Sequence, residues 1–377
     1  MGQQHSSSNP ARDTPSSGSD SEARARGKPA VAAAGSAIVM GVLLVALGVG
    51  TYALFQMDSL GDGSAGESKQ FQFDLAGQMS VPGELLAYGR KRAREVSLQA
   101  PTAIAVGADG TIFVAGERAI EVLSPDGSSA VTELEYSPRC LAIGGGEETG
   151  GGQLYAGAGR HVLVLNEKME LVRQWSAGNS ESILTGIAVA EEDVFVADAG
   201  RRLVIHFDAT GNVLGTIGEA DPDRRMPGFV VPSGYLDLAI GPDNVLHVVN
   251  PGMRRVEAYN FQGELQSYWG QAGPAWPRFF GCCNPAYLAV MPDGRFVTSE
   301  KGLPRIKVYS PVGEFQHVVA GPRQLGVEAS ALGDARGNQL KRVFDVAIDG
   351  ADHVVVLDPR KGQVIVFAPV DEERETK

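Results

Sequence analysis

Residues 186–211 read GIAVAEEDVFVADAGRRLVIHFDATG. Three short apolar runs are separated by a charged break and an Arg-rich turn, and an Asp-x-x-Gly turn closes the stretch. Runs of this length, rich in Val, Ile and Phe and bounded by turn residues, read as strands rather than as a helix. The same unit returns at 103–127, AIAVGADGTIFVAGERAIEVLSPDG, and at 238–263, LAIGPDNVLHVVNPGMRRVEAYNFQG. It returns again at 288–313, LAVMPDGRFVTSEKGLPRIKVYSPVG, and at 346–370, VAIDGADHVVVLDPRKGQVIVFAPV, with a degenerate copy beginning at Leu141. Self-similarity at such a period marks a repeat architecture.

One small residue fixes the alignment of the six copies: Ala105, Ala142, Ala188, Ala239, Ala289 and Ala347. Turn residues then fall at fixed places. Asp109-Gly110, Asp243-Asn244 and Asp293-Gly294 separate the first and second strands, and Gly127, Gly211, Gly263 and Gly313 follow the third. These residues accept the positive φ that tight hairpins need. A fourth strand follows, as in ELQSYWG (264–270) and EFQHVVAG (314–321). Six units of four antiparallel strands predict an all-β, six-bladed β-propeller, each blade burying its face on the next. The sixth copy runs into the charged tail DEERETK (371–377) without a fourth strand, so QFQFDLAG (70–77) is expected to supply it and seal the ring. The propeller is accordingly placed at 70–370.

The pattern resembles the NHL-repeat family. Pro101, Pro138 and Pro285 each stand four residues before a marker alanine, and VFVADAGRRLVIHFDATG (194–211) is similar to that family's blade motif. The resemblance covers roughly 68–370 and implies the propeller fold. It leaves function open, because folds of this kind host binding modules and enzymes alike. The block at 281–315, opening GCCNP, resembles a segment of membrane-attached NHL-repeat proteins, which implies that the cysteines and the Glu300-Lys301 turn belong together.

The chain has 377 residues, 48 of them Gly, and a net charge of −12, which argues against nucleic-acid binding. Residues 1–28 have the composition of a disordered tail. No charge occurs from Pro29 to Met57, and about 20 apolar residues suffice to cross a bilayer. The span 29–57 therefore reads as an uncleaved transmembrane signal anchor, with a cleaved signal peptide as the competing reading. Arg24, Arg26 and Lys28 precede it, and Asp58, Asp62 and Glu67 follow, so the N-terminus is expected in the cytoplasm. The linker 58–69 and the propeller are then extracytoplasmic, held at the cell (inner) membrane on the periplasmic side.

Strand order places the links between blades, and the links from second to third strands, on one face. Long inter-blade links gather there, and basic residues with them. The expected binding face comprises Trp276, Phe279 and Phe280 as aromatic anchors with Lys301, Arg305, Arg202, Arg255 and Arg160 around them. A basic rim on an acidic protein suits an anionic ligand or an envelope-protein partner. The competing readings are that the arginines pair with neighbouring carboxylates and that the aromatics pack as a lid. Asp198, Asn250 and Asp358 end second strands and form an expected polar ring at the channel mouth; capping of their own turns is the alternative.

Cys282 and Cys283 adjoin Glu300 on this reading. Their uses remain open: a bridge to Cys140, a strained vicinal disulfide, ligation of a soft metal or cluster, or packing under the loop. No cofactor other than such a metal is expected. A Lys301 ammonium near a thiol would favour its thiolate. His161, His206, His247, His317 and His353 all fall outside innermost strands, which disfavours an axial His-bound metal, and no Ser-His-Asp set, phosphate loop or HExxH motif occurs. Binding is the leading expectation, redox or metal chemistry the second, and a propeller hydrolase or lyase the third.

Overall fold

The computed structural model describes residues 75–144, 152–220, 227–330 and 343–370. The expected tails (1–28 and 371–377), anchor (29–57) and linker (58–69) lie outside them. Among the described residues no helix is long and apolar enough to cross a membrane.

The described residues form a six-bladed β-propeller of six antiparallel four-stranded sheets. The innermost strands are Ala103–Val106, Pro138–Gly144, Leu184–Ala190, Leu238–Ile240, Tyr287–Val290 and Asp345–Ile348. Each touches the next, and the sixth touches the first, so the ring is closed. Small residues allow this crowding around the axis: the six marker alanines all lie on these strands. The expected glycine turns occur as read, with Gly127 and Gly211 at φ 96° and 93°.

The core is divided among the blade interfaces. Six clusters of buried apolar side chains each join two neighbouring sheets, including one in which Val355, Leu357, Val364 and Val366 of the last blade meet Ile104, Val114 and Leu123 of the first. A blade thus has no private core, and its apolar faces stay wet unless both neighbours are present.

Closure uses a different strand from the expected one. Tyr88–Glu95 pairs antiparallel with Gln363–Pro369 and completes the last blade, whereas Leu75–Gln78, which overlaps the end of the 70–77 stretch, is a short helical turn. The physical reason is that an outermost strand needs only its backbone ladder. Its sequence, YGRKRARE, is polar and mostly exposed, as are the outer strands Ser129–Glu133 and Leu265–Trp269. A search for apolar alternation therefore selects the wrong segment. Of the closing strand's basic residues, Arg90, Lys91 and Arg92 are exposed. Arg94 instead donates to the carbonyls of Ser124, Gly127 and Ser128 and ties the closing strand to blade one.

A chain starting at Val96 should lose this seal together with buried Tyr88, and melt well below the full chain by circular dichroism. Equal melting of the two chains would show that the ring holds without it.

Candidate functional site

The residues that end second strands turn out to be internal ties. Asp198, Asn250, Glu300 and Asp358 are all fully buried. Asp198 accepts the N–H groups of Ile183 (2.9 Å), Gly200 (3.1 Å) and Arg201 (3.1 Å). Asn250 accepts from the Val230 N–H at 3.0 Å, and Glu300 from the Phe280 N–H at 2.7 Å. Asp358 accepts from the Arg360 N–H at 3.0 Å and the Arg360 guanidinium at 2.8 Å. Three of the four thus reach across to an inter-blade link and bind its backbone. The expected polar ring at the channel mouth is absent: these groups are spent on N–H donors that burial would otherwise leave unpaired.

The aromatic face is corrected in the same sense. Trp276 and Phe279 are buried and Phe280 half-buried, because the link doubles back on itself through Phe279 N–H to Gln271 O (2.8 Å) and Gly273 N–H to Phe279 O (3.0 Å). Phe279 packs on Trp269 and Tyr309. Arg305, expected on the rim, has no exposed surface and donates to the carbonyls of Pro274 and Arg278, both at 3.1 Å. Lys307 donates to the carbonyls of Trp276 (3.0 Å) and Arg278 (2.9 Å). Glu300 pairs with both cations, at 2.8 Å to Arg305 and 2.7 Å to Lys307. The aromatics are a lid, bolted down by a buried triad. Burial depresses the Lys307 ammonium to about 8 despite its carboxylate partner. Arg255 is likewise paired, with Glu257 at 2.6 Å, while Arg160 and Arg202 remain exposed on the link-bearing face.

GCCNP and the Glu300-Lys301 turn do meet. Asn284 accepts from the Lys301 N–H at 2.8 Å and donates to the Lys301 carbonyl at 3.1 Å. All three cysteines are free thiols, so no bridge runs to Cys140, which is buried on the innermost strand of blade two. Cys282 is exposed, Cys283 is buried beneath it, and their sulfurs lie 2.9 Å apart. Burial acts to raise the Cys283 thiol. The hydrogen bond from Cys282 and the Lys301 ammonium oppose it, and Cys283 lies below the ordinary thiol range. The hydrogen bond to Cys283 raises Cys282 in turn. Glu300 points into its own triad, and among the described residues no three His, Cys, Asp or Glu side chains gather as metal ligands.

One concavity is lined by residues from several blades around the axis. A funnel of about 400 Å³ opens on the link-bearing face, lined by residues of several blades that include Thr102, Glu117, Arg139, Thr185, Tyr235 and Tyr287. Arg139, Thr185 and Tyr287 also line a deeper chamber of about 70 Å³, whose walls include Asp237 and Asp345. Arg139 and Glu117 are exposed at the mouth. The Tyr235 and Tyr287 rings meet edge to face, with centroids 5.7 Å apart.

The carboxylates at the floor are held but poorly solvated. Asp237 accepts from the Leu288 N–H at 2.8 Å, and Asp345 from Ile104 (2.9 Å) and Val346 (2.8 Å). Burial pushes Asp345 up to about 7 against these donors. Asp237 is raised well above the carboxylate range, first by burial and then by the neighbouring Asp345 charge. Asp345 is therefore poised to hold and release a proton near neutrality, beside an Asp237 raised above the carboxylate range.

Sequence reading missed this set, although a signal was present. Asp237, Tyr287 and Asp345 each stand two positions before a marker alanine, where blades one and three carry Ala103 and Gly186. Large or charged residues at a position that tolerates the smallest ones identify the axis as more than packing.

The fold and funnel define a six-bladed β-propeller with an axial, polar-floored pocket. No family model matches the chain, and no curated protein matches its sequence. Several solved structures resemble it in shape. Virginiamycin B lyase from Staphylococcus aureus aligns at 12% identity and TM-score 0.52 over 75% of this chain and 100% of that one. A streptogramin B lyase aligns at 13% identity and TM-score 0.53, over 76% and 100%. A chain of the Mitotic Checkpoint Complex aligns at 11% identity and TM-score 0.50, over 80% and 98%. Likeness at such identities is one of fold alone.

Glu300→Gln should strand two buried cations and cost about 3–5 kcal/mol in urea unfolding. The Asp345 carboxyl binds its proton more tightly folded than unfolded, so its contribution to stability is present below about pH 4 and is lost as pH rises through about 7. Asp345→Asn should flatten that fall, worth a few kcal/mol, in melting curves taken across this range.

Proposed function

We propose that the chain is a membrane-tethered, extracytoplasmic propeller of NHL type that binds a small amphoteric molecule in its axial funnel. The supporting observation is the vertical arrangement of charge: Arg139 at the mouth, the Tyr235–Tyr287 pair in the wall, and Asp237 with Asp345 at the floor. An amine end fits the floor, and an anionic end fits Arg139. Pockets with apolar walls and a few convergent polar groups are the usual form of ligand sites. The charge-free span 29–57 and its basic approach support the tether.

Acid–base chemistry is the second reading, favoured by the Asp345 carboxyl at about 7, since a base works best when poised near ambient pH. The solved lyases lend it a shared fold and nothing about residues.

A panel of free amino acids, polyamines and dicarboxylates, screened by thermal shift on the detergent-solubilised full chain, tests the proposal. A ligand that stabilises the wild type should lose that effect in Arg139→Ala and in Asp345→Asn. Its affinity for an amine end should strengthen as pH rises through about 7, because the cation prefers the ionised floor. Equal stabilisation of both variants would defeat the funnel reading. Chemical change in the recovered ligand would favour catalysis over binding.

A further inference from the structure

We propose that Cys282 and Cys283 form a thiol–disulfide exchange centre beside the funnel, reacting with small carboxylate-bearing organic disulfides. Four observations converge on it. The two sulfurs are in contact at 2.9 Å, one exposed and one buried. The Lys301 ammonium acts on the buried sulfur and favours its thiolate. Asn284 fixes the Lys301 turn to the cysteine loop by two hydrogen bonds, at 2.8 and 3.1 Å, so the ammonium does not depend on a mobile stem alone. Lys301 also lies 5.9 Å from the centroid of Tyr235, a funnel-wall residue, which places the centre at the funnel margin. Cys140 provides the contrast: it is buried and free, and burial raises it.

The asymmetry assigns the two roles. Cys282 is the sulfur a disulfide can reach, and Cys283 is the one stabilised as thiolate. In the first step the Cys282 thiol passes its proton to the Cys283 sulfur and attacks one sulfur of the incoming disulfide. That S–S bond breaks and the first organic thiolate leaves, taking the proton back from Cys283. In the second step the Cys283 thiolate attacks the Cys282 sulfur of the mixed disulfide, expelling the second thiolate, which takes a proton from water. Two electrons pass from the cysteine pair to the organic disulfide, giving one vicinal disulfide and two free thiols. The small ring so formed is strained, which keeps it open to reduction by thiols. The Lys301 charge sets the preference for anionic disulfides.

Oxidised glutathione, added to the reduced full chain in detergent, is the probe, with alkylation of remaining thiols and mass analysis of the peptides. The expected wild-type product has Cys282 and Cys283 unalkylated and joined, while Cys140 is alkylated after unfolding. Cys283→Ser should stop at a glutathione adduct on Cys282, and Cys282→Ser should form no adduct. Lys301→Gln should move the pH profile of the reaction to higher pH and slow it about tenfold near neutrality. Thiols that stay free in the wild type, or a Cys283→Ser chain that gathers no adduct, would overturn the proposal. An unshifted pH profile in Lys301→Gln would overturn the role given to the ammonium. None of these readouts depends on a funnel ligand, so the ligand-binding proposal stands or falls separately.

Discussion

Each blade of this propeller is an incomplete object. Its two apolar faces are covered only by its neighbours, so the arrangement is stable when the last face meets the first. That meeting depends on one hydrogen-bonded ladder, Tyr88–Glu95 on Gln363–Pro369, between segments separated by nearly the whole ring. The strand is polar because its side chains face solvent, and its charges do local work. Arg90 reaches Gln363 on the partner strand at 3.1 Å, and Arg94 holds the backbone carbonyls of the turn in blade one. Closure fixes the distance across the axis, and the funnel inherits its width from that constraint.

Charge inside this molecule is used in two distinct ways. At the ends of the second strands it is structural: Asp198, Asn250, Glu300 and Asp358 absorb N–H groups from links or turns that would otherwise be buried without partners. The Glu300–Arg305–Lys307 triad extends this use. One carboxylate anchors two cations, and the cations hold three carbonyls of the aromatic lid. A buried ion cluster of this kind is weak evidence for added stability, but it is strict about geometry, since removing one member strands the others. The lid is therefore a positioned element rather than an adhesive patch.

The fold was legible because repetition multiplies a weak signal. One copy of GIAVAEEDVFVADAG is an ambiguous apolar run, whereas six copies in register with turn residues at fixed offsets admit one architecture. The meeting of GCCNP with the Glu300-Lys301 turn was legible for the same reason, since strand order alone sends both links to one face. Two kinds of information were not. The closing strand YGRKRARE carries no apolar pattern, because nothing packs on its outer face. The exposure of Arg305 and Trp276 was misread because composition reports what a side chain is and not whether a neighbouring link folds over it. Arg305 looks like a rim cation in sequence and becomes a core cation once residues 271–279 double back.

The axis remains the place where structure and function compete most directly. Six innermost strands converging on a line leave room for small residues, and the marker alanines, Ala103 and Gly186 meet that demand. Filling the same layer with alanine would satisfy packing at no electrostatic cost. Blades four and six instead place Asp237 and Asp345 there, where desolvation raises both and the Asp345 charge further opposes ionisation of Asp237. Blade five adds Tyr287, and Arg139 stands above them at the mouth. Backbone donors from Ile104, Val346 and Leu288 offset part of the penalty, yet the Asp345 carboxyl still sits near 7. A cation delivered to the floor would relieve what the backbone does not, and a protein that carries such an unrelieved pair at the end of an open funnel has the electrostatics of a site built for an occupant.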